Sequence, residues 1–320
     1  MAERTAAAAS TTAAKTKPWS AAQVPEQSGR VAVITGSNSG IGFETARVLA
    51  ERGASVVLAC RDPRRADDAV RRIRAGAPGV ELRVVRLNLA SLASVRHAAE
   101  EMLADFERID LLINNAGVMM TPHGQTEDGF DLQLGVNHLG HFALTAQLID
   151  AVRAAPGSRI VSVGSIAHRP GVIDFDDLQF ERRSYNPRTA YSQSKLANLL
   201  FAYELQRRLA AAGAESSSLA AHPGVVHTEL SRHVNRPMRT VFRLATGVLG
   251  QRNPLMGALP ILRAATDPSA SGGEYYGPHS RNGFRGDPVR IESNAASHDQ
   301  AVAARLWQES ERLTGAAFSF

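Results

Sequence analysis

Short apolar runs alternate with longer amphipathic stretches along this chain. The runs are too short for helices, and unbroken apolar runs are typical of strands buried on both faces of a sheet. The stretches between them repeat their apolar positions at helical spacing. Strands that alternate with helices predict an α/β fold, a doubly wound parallel sheet with helices on both faces. Strands are predicted at residues 31–34, 54–60, 80–87, 109–113, 159–164, 217–221 and near 273–276, and helices at 43–52, 63–75, 92–106, 131–153, 189–212 and 299–313.

Two segments depart from this alternation. Residues 1–28 are rich in Ala, Thr, Ser and Lys, so we expect a flexible N-terminal arm followed by a single domain over residues 29–320. Residues 226–254 mix basic and apolar side chains between prolines. We expect this second segment to form a lid beside a pocket, ordered by ligand.

Composition narrows the range of partners. The 320-residue chain has a formal net charge of +5 and a pI of about 9.8, which would suit nucleic acid. The arginines are scattered and form no basic run with aromatic residues, so a phosphate-bearing cofactor explains the charge better than nucleic acid does. The single cysteine, Cys60, allows no intramolecular disulfide and suits the cytoplasm. No apolar run approaches the ~20 residues of a transmembrane segment.

Glycines crowd the turn after the first predicted strand. Residues 35–42 read Thr-Gly-Ser-Asn-Ser-Gly-Ile-Gly. Glycine lets a backbone approach a pyrophosphate closely, and the N-terminus of the following helix offers free N–H groups. An ordinary turn between strand and helix also uses glycine, and the spacing differs from the commonest dinucleotide fingerprint. With its strand and helix, the turn predicts a Rossmann-type cofactor site formed by Gly36, Ser37, Asn38, Ser39, Gly40, Ile41 and Gly42.

Candidate acid–base chemistry lies in the second half of the chain. Tyr191 and Lys195 are four residues apart on a predicted helix and therefore share a face. Lowering a tyrosine pKa by ~3 units requires about 4 kcal/mol, and one ammonium at ~4 Å can supply most of it, with the positive charge of an oxidised nicotinamide adding to the effect. Ser165 follows the fifth predicted strand, at the sheet edge where ligands bind, and can donate to a substrate oxygen. The alternative for the Tyr/Lys pair is a core aromatic and a solvated lysine.

In these motifs the sequence resembles the short-chain dehydrogenase/reductase family. The resemblance implies that Tyr191 exchanges a proton with the substrate and that Lys195 lowers its pKa and holds the nicotinamide ribose. It also implies that Ser165 orients the substrate oxygen and that Asn137 holds a proton-relay water. The matching residues, in the family's order, are Thr35-Gly36-x3-Gly40-Ile41-Gly42, Asn114-Asn115-Ala116-Gly117, Asn137, Ser165, Tyr191-x3-Lys195 and Pro223-Gly224. Further implied cofactor contacts are Asn88, Leu89, Asn115, Ala116, Gly117, Pro223, Gly224 and Val226.

Finer features resemble one branch of this family, which contains the retinol dehydrogenases and the light-dependent protochlorophyllide reductases. The branch carries an insertion similar to residues 168–188, and its retinoid enzymes often have a membrane anchor, which is not expected here. Asn88 stands where the family usually has an Asp that contacts adenine. Together with lid residues such as Phe242, the resemblance implies an apolar alcohol or carbonyl substrate and a homodimer or homotetramer. The features are 58–62 (Leu-Ala-Cys-Arg-Asp), 136–142 (Val-Asn-His-Leu-Gly-His-Phe), 165–168, 176–178, 273–277 and 305–307.

The end of the second predicted strand indicates which cofactor is preferred. In dinucleotide folds this position reads the ribose 2′ group, and an Asp or Glu there selects NAD. Cys60 is neutral, and Arg61 can grip a 2′-phosphate through two parallel hydrogen bonds, with Ser37 and Asn38 as added donors. The alternative is that Asp62 turns back to the ribose, but its position before Pro63 suits a helix N-cap. We therefore predict NADP over NAD.

Other functions are weighed against these residues. His138, His141, His222, His227 and His233 have no carboxylate-rich motif beside them, so packing or hydrogen bonding near the pocket is favoured over a metal site. A dinucleotide sensor without turnover would not need Ser165, Tyr191 and Lys195 together. Epimerases and dehydratases that use the Tyr/Lys pair have a different glycine spacing and a larger substrate domain.

Overall fold

The computed structural model of this protein describes residues 18–226, 253–280 and 282–320. In these ranges one eight-stranded sheet has the order β3-β2-β1-β4-β5-β6-β7-β8, parallel except for the antiparallel pair β7 and β8. The strands are β1 Val31–Thr35, β2 Ser55–Cys60, β3 Leu82–Arg86, β4 Leu111–Asn114, β5 Arg159–Val163, β6 Ser217–Ala221, β7 Tyr275–Pro278 and β8 Pro288–Ile291. The helices are α1 Gly40–Glu51, α2 Pro63–Gly76, α3 Leu92–Asp105, α4 Leu132–Leu134, α5 Gly140–Arg153, α6 Pro187–Ala211, α7 Pro254–Thr266 and α8 Gln300–Thr314.

The predicted doubly wound sheet is confirmed, because both faces of the strands are covered by helices. Successive side chains of a strand point to opposite faces. On β1, Ile34 packs in the layer that includes α1 and α7, while Val33 packs in the layer that includes α3, α5 and α6. The parallel strands β1, β4, β5 and β6 therefore bring their carboxyl ends to one edge of the sheet.

Local capping explains where several helices begin. The Asp62 carboxylate accepts from the N–H groups of Arg64 and Arg65, with Pro63 in the first turn, as the sequence predicted. Asn186 caps α6 in the same way, ahead of Pro187. These caps place the chain leaving β2 and the chain entering the Tyr191 helix in defined positions.

Three sequence predictions differ from the structure. The helix predicted over 131–153 is interrupted, because a π-helical turn, Gly135–Leu139, separates α4 from α5. The sequence analysis missed α7 and the edge strand β8, whose four residues begin with a proline and give little period-two signal. The arm predicted over 1–28 extends too far, because Trp19, Val24 and Gln27 are buried against the domain.

Of the lid predicted over 226–254, residues 227–252 lie outside the described residues. Within the described ranges, no helix combines the length and apolar character needed to cross a bilayer.

The buried His138 contacts three helices, α5, α6 and α8. His138 lies beside Phe142 and Phe201, and its Nε2 is 2.8 Å from the Ser310 hydroxyl of α8. Ser310 donates its own proton to the Leu306 carbonyl, so His138 Nε2–H is the donor of this bond. Burial lowers the pKa of His138 to about 3.

We expect acid to destabilise the fold through this histidine. Between its folded pKa of about 3 and the unfolded value of 6.5, only the unfolded chain binds the proton. The free energy of unfolding therefore falls as pH decreases below ~6.5, by up to about 1.4 kcal/mol per pH unit for one such histidine. Urea unfolding of wild type and His138→Leu at several pH values measures this, and the variant should show the shallower dependence. Equal slopes would contradict the assignment.

Candidate active site

The ends of β1 and β4 are joined by one hydroxyl group. Thr35 Oγ1 accepts hydrogen bonds from the backbone N–H groups of Asn115 and Ala116, both at 2.9 Å. The Asn115 side chain donates to the Thr35 carbonyl at 2.8 Å. The two motifs on which the resemblance rested, the glycine turn and the Asn114–Gly117 segment, are thus fixed against each other.

The glycine turn has no room for side chains. A Cβ on Gly42 would collide with the Gly36 carbonyl oxygen and lie 2.5 Å from Asn115 Nδ2, and a Cβ on Gly36 would lie 2.9 Å from Ala116 Cβ. Helix α1 begins at Gly40, the Ser39 side chain makes no cap hydrogen bond, and no acidic residue lies in the first turn. Backbone N–H groups and the positive end of the helix dipole suit a pyrophosphate at this point. The cradle therefore fits a dinucleotide.

Strand β2 ends at an uncharged residue, Cys60, and the next residue, Arg61, is an exposed cation. Cys60 is buried, as predicted, and burial raises the pKa of its thiol. Arg61 is exposed, and Asp62 is engaged as the cap of α2. The Ser37 hydroxyl is buried and donates to the Ile34 carbonyl at 2.9 Å, so it cannot serve as the predicted side-chain donor to a 2′-phosphate.

Ser165, Tyr191 and Lys195 lie together beyond β5. Tyr191 and Lys195 are 5% and 4% exposed, and the Ser165 side chain lies close enough to the Tyr191 phenol to oppose the rise of its pKa. Lys195 Nζ donates to the Val163 carbonyl at 3.0 Å and lies 5.9 Å from the centre of the Tyr191 ring. These contacts show a buried pair, not the core tyrosine with a solvated lysine that the sequence left as the alternative.

Burial sets the charges of this group. It raises the pKa of Tyr191 to about 12, against the opposing effect of the Ser165 side chain. It lowers the pKa of Lys195 to about 8. The expectation that one ammonium supplies most of the shift toward the phenolate is not met in the protein without cofactor, because the Lys195 ammonium bonds to a carbonyl and the phenol is desolvated.

Asn137 lies in the π-helical turn between α4 and α5. Its Oδ1 accepts from the Val118 N–H at 2.8 Å, and its Nδ2 donates to the Val118 carbonyl at 3.0 Å and to the Ser194 hydroxyl at 2.9 Å. A Cβ on Gly117 would lie 3.0 Å from Asn137 Oδ1 and 3.7 Å from Lys195 Nζ. The structure thus brings Asn137, Gly117 and Lys195 together.

Other predicted cofactor residues are distributed around this edge. Ile41, Pro223 and Val226 converge on Gly257 of α7, where a Cβ would lie within 3.3 Å of all three side chains. The sequence analysis missed Gly257, because nothing local marks its distant neighbours. Gly224 has a φ of +74° and donates its N–H to His222 Nδ1 at 3.1 Å.

The predicted adenine contacts are partly engaged by the protein itself. The Asn88 amide donates to Glu127 and accepts from the Ala90 N–H. The Leu89 side chain is buried in the layer beside α5. Asn38 and Ser39 remain partly exposed in the turn.

An apolar group surrounds the Tyr191 ring. Met119, Met120 and Ala167 pack there, and Met120 has a φ of +49°, a strained value for a residue other than glycine. Gln133 accepts from the Met120 N–H at 2.8 Å and donates to Tyr185 of the insertion and to the Pro187 carbonyl of α6. Gln133 was not predicted, because no local motif marks it, yet it ties this strained segment to the insertion and to the Tyr191 helix.

Among the residues that the structure describes, no group of three or more His, Cys, Asp and Glu side chains could hold a metal ion. His222 and His138 are buried and hydrogen-bonded instead.

The doubly wound sheet, the glycine cradle and the cluster of half-buried Ser165 with buried Tyr191 and Lys195 are the features of a Rossmann-type α/β protein. The family model described as short chain dehydrogenase matches residues 30–239, and the chain belongs to this short-chain dehydrogenase/reductase family, in its retinol dehydrogenase branch.

The comparisons with individual proteins extend over most of the chain. Retinol dehydrogenase 13 of Homo sapiens is 43% identical over 293 residues, covering 90% of this chain and 85% of that protein. Polyprenol dehydrogenase of Mus musculus is 45% identical over 297 residues, covering 92% and 86%. The crystal structure of an uncharacterized protein from Mycobacterium paratuberculosis has a TM-score of 0.79 and 41% identity, covering 95% of this chain and all of that chain (100%).

We expect Gly42→Ala to abolish dinucleotide binding while the sheet still forms. The added methyl group must displace the Gly36 carbonyl or Asn115 and so distort the cradle. Gly76→Ala, at the end of α2, is the matched control, because a Cβ there meets only Glu51 Oε1, at 3.9 Å. Fluorescence or calorimetric titration with NADPH and NADH measures the effect. Wild-type affinity in Gly42→Ala would show that the cofactor does not use this turn.

Proposed function

We propose that this protein is an NAD(P)-dependent oxidoreductase that transfers hydride between the nicotinamide and an apolar alcohol or carbonyl compound, with Tyr191 as general acid and base. The observation that carries this proposal is that the buried Tyr191 and Lys195 lie beside the half-buried Ser165, at the same sheet edge as the glycine cradle. Ligands of open α/β sheets bind at that edge. Membership of an oxidoreductase family supports the same conclusion.

Each side chain of the site has a distinct role in this proposal. The hydroxyl groups of Ser165 and Tyr191 hydrogen-bond the substrate oxygen, and Tyr191 passes the proton to or from it. The glycine turn and the first turn of α1 would hold the pyrophosphate, and Lys195 the nicotinamide ribose. The bound cofactor supplies the hydride and, when oxidised, a positive charge. That charge would favour the phenolate form of Tyr191. Without the cofactor, burial raises the pKa of Tyr191 to about 12, and the phenol stays protonated.

The surroundings of Tyr191 support an apolar substrate. Met119, Met120 and Ala167 pack at its ring and offer little hydrogen bonding to a polar ligand. The relatives named for retinol and polyprenol support the same substrate class, alcohols with long apolar chains. The Asn137 side chain holds the Val118 backbone, which leads into this apolar group. These bonds keep Asn137 in place beside Lys195, where we propose that it holds a proton-relay water.

The end of β2 supports a preference for NADP over NAD. A cofactor with a 2′-phosphate meets the neutral Cys60 and the exposed guanidinium of Arg61 there, and the Asp62 carboxylate is occupied by α2. Charge-assisted hydrogen bonds from Arg to phosphate are about twice as strong as neutral ones.

Cellular setting and assembly form a further part of the proposal. The buried, unpaired thiol of Cys60 suits a reducing compartment and supports action in the cytoplasm. The resemblance to the family supports a homodimer or homotetramer.

We expect Tyr191→Phe to lower kcat by ~10²–10⁴-fold while the cofactor still binds, because the proton carrier is lost and the ring remains. Tyr203→Phe is the matched control, since Tyr203 is also buried on α6 and its phenol bonds Ser293 instead. The measurement is nicotinamide absorbance with a panel of apolar alcohols, aldehydes and ketones. Retention of more than about a tenth of kcat in Tyr191→Phe would refute its role.

We expect Arg61→Ala to weaken NADPH binding by about 1.5–3 kcal/mol and to leave NADH binding nearly unchanged. Arg74→Ala removes an exposed cation from the other end of α2 and is the control for overall charge. Dissociation constants of both cofactors decide the question. Equal losses for the two cofactors, or tighter NADH binding by the wild type, would exclude the NADP preference.

A further inference from the structure

His141 is a buried titratable residue that the proposed mechanism does not use. It lies in the first turn of α5, four residues after Asn137, and is 3% exposed. Its Nε2 is 2.9 Å from Thr35 Oγ1, and its Nδ1 is 3.1 Å from the Asn137 main-chain oxygen. One ring therefore reaches both the end of β1 under the glycine turn and the π-helical turn beside Lys195.

The donors and acceptors around Thr35 fix the protonation of this ring. Two backbone N–H groups, of Asn115 and Ala116, take both lone pairs of Thr35 Oγ1. The hydroxyl must then donate its single proton to another acceptor. His141 Nε2, at 2.9 Å, is nearer than the Ile113 carbonyl, at 3.4 Å. His141 Nε2 is thus an acceptor without a proton. A neutral imidazole then carries its proton on Nδ1 and donates it to the Asn137 carbonyl.

We propose that His141 is a positioning residue, whose neutral imidazole ties the Thr35 hydroxyl under the cofactor turn to the Asn137 carbonyl beside Lys195. This inference rests on the proposed oxidoreductase function, since it deepens the role of that same site. The tie acts on the π-helical turn, where the helix is irregular. There the backbone partners shift by one residue, with the Gly140 N–H bonded to the Gly135 carbonyl. The His141 side chain supplies a fixed donor to the Asn137 carbonyl.

Charge considerations agree with a neutral ring. Burial lowers the pKa of His141 to about 4, and the positive charge of Lys195 acts in the same direction, against the hydrogen bond to Asn137. A second cation at this place would compete with the ammonium of Lys195, which the mechanism requires near the cofactor.

His138, three residues before His141 in the chain, provides a matched comparison. Both histidines are buried and have lowered pKa values, but His138 bonds Ser310 of α8 and contacts neither Thr35 nor the Asn137 carbonyl. In both variants Leu replaces a buried imidazole with an apolar side chain of similar volume. A purely structural role would therefore affect both variants alike.

The first experiment compares His141→Leu with His138→Leu by thermal unfolding, cofactor Kd, KM and kcat. We expect similar losses of thermal stability, a fall in kcat of at least about tenfold in His141→Leu, and a kcat within about twofold of wild type in His138→Leu. Equal effects on kcat in the two variants would overturn the proposal.

Two amide substitutions separate the bonds of the ring. His141→Asn places an amide near the position of Nδ1 and keeps a donor for the Asn137 carbonyl, whereas His141→Gln reaches the position of Nε2 and keeps only the partner of Thr35. We expect Asn to restore kcat more than Gln. The reverse order would overturn the link to Asn137.

The last measurement needs no turnover. The ¹⁵N chemical shifts of His141 in the wild-type protein should show an unprotonated Nε2 and a protonated Nδ1 at neutral pH. A proton on Nε2 would overturn the inference even if the enzyme is active. Conversely, a wild type that reduces or oxidises no compound in the panel refutes the proposed function, while these shifts still decide whether the tie exists.

Discussion

The Thr35 hydroxyl is the contact on which the arrangement of the site depends. It accepts from two backbone N–H groups at the end of β4 and donates its own proton to His141. Strands β1 and β4 are neighbours in the sheet although about eighty residues separate the contacting groups, as in the pair Thr35 and Asn115. One hydroxyl oxygen at this place makes hydrogen bonds to three partners. Because Gly36 and Gly42 have no Cβ, the two segments can approach closely enough for these bonds to form.

The chemistry of the site follows from its burial. Desolvation keeps the phenol of Tyr191 protonated and brings the ammonium of Lys195 closer to losing its proton. The side chains are thus held in place while the phenol stays protonated. In the proposed mechanism, acid–base function and cofactor binding would therefore be coupled, because the positive charge of an oxidised nicotinamide would favour the phenolate.

How much of this was predictable depends on the range of each interaction. The N-cap at Asp62, the buried strands and the convergence of Ser165, Tyr191 and Lys195 follow from local patterns and from the rule that parallel strands share a carboxyl edge. The inward turn of the Ser37 hydroxyl, the Met120 backbone held by Gln133, and the meeting of Ile41 and Val226 at Gly257 depend on distant contacts. No local period encodes such contacts. The π-helical turn escaped for a related reason, since its apolar spacing still resembles that of a helix.

The central position of β1 and β4 also has a consequence for the lifetime of the protein. The cradle is built from the middle of the sheet, so the unfolded chain has no site, and any dinucleotide that binds the native state alone shifts the folding equilibrium by mass action. At a free concentration one hundred times the dissociation constant, this linkage is worth about 2.7 kcal/mol. Resistance to proteolysis and heat would then follow the cell's cofactor supply, and a fall in that supply would shorten the survival of the protein before it slowed the reaction.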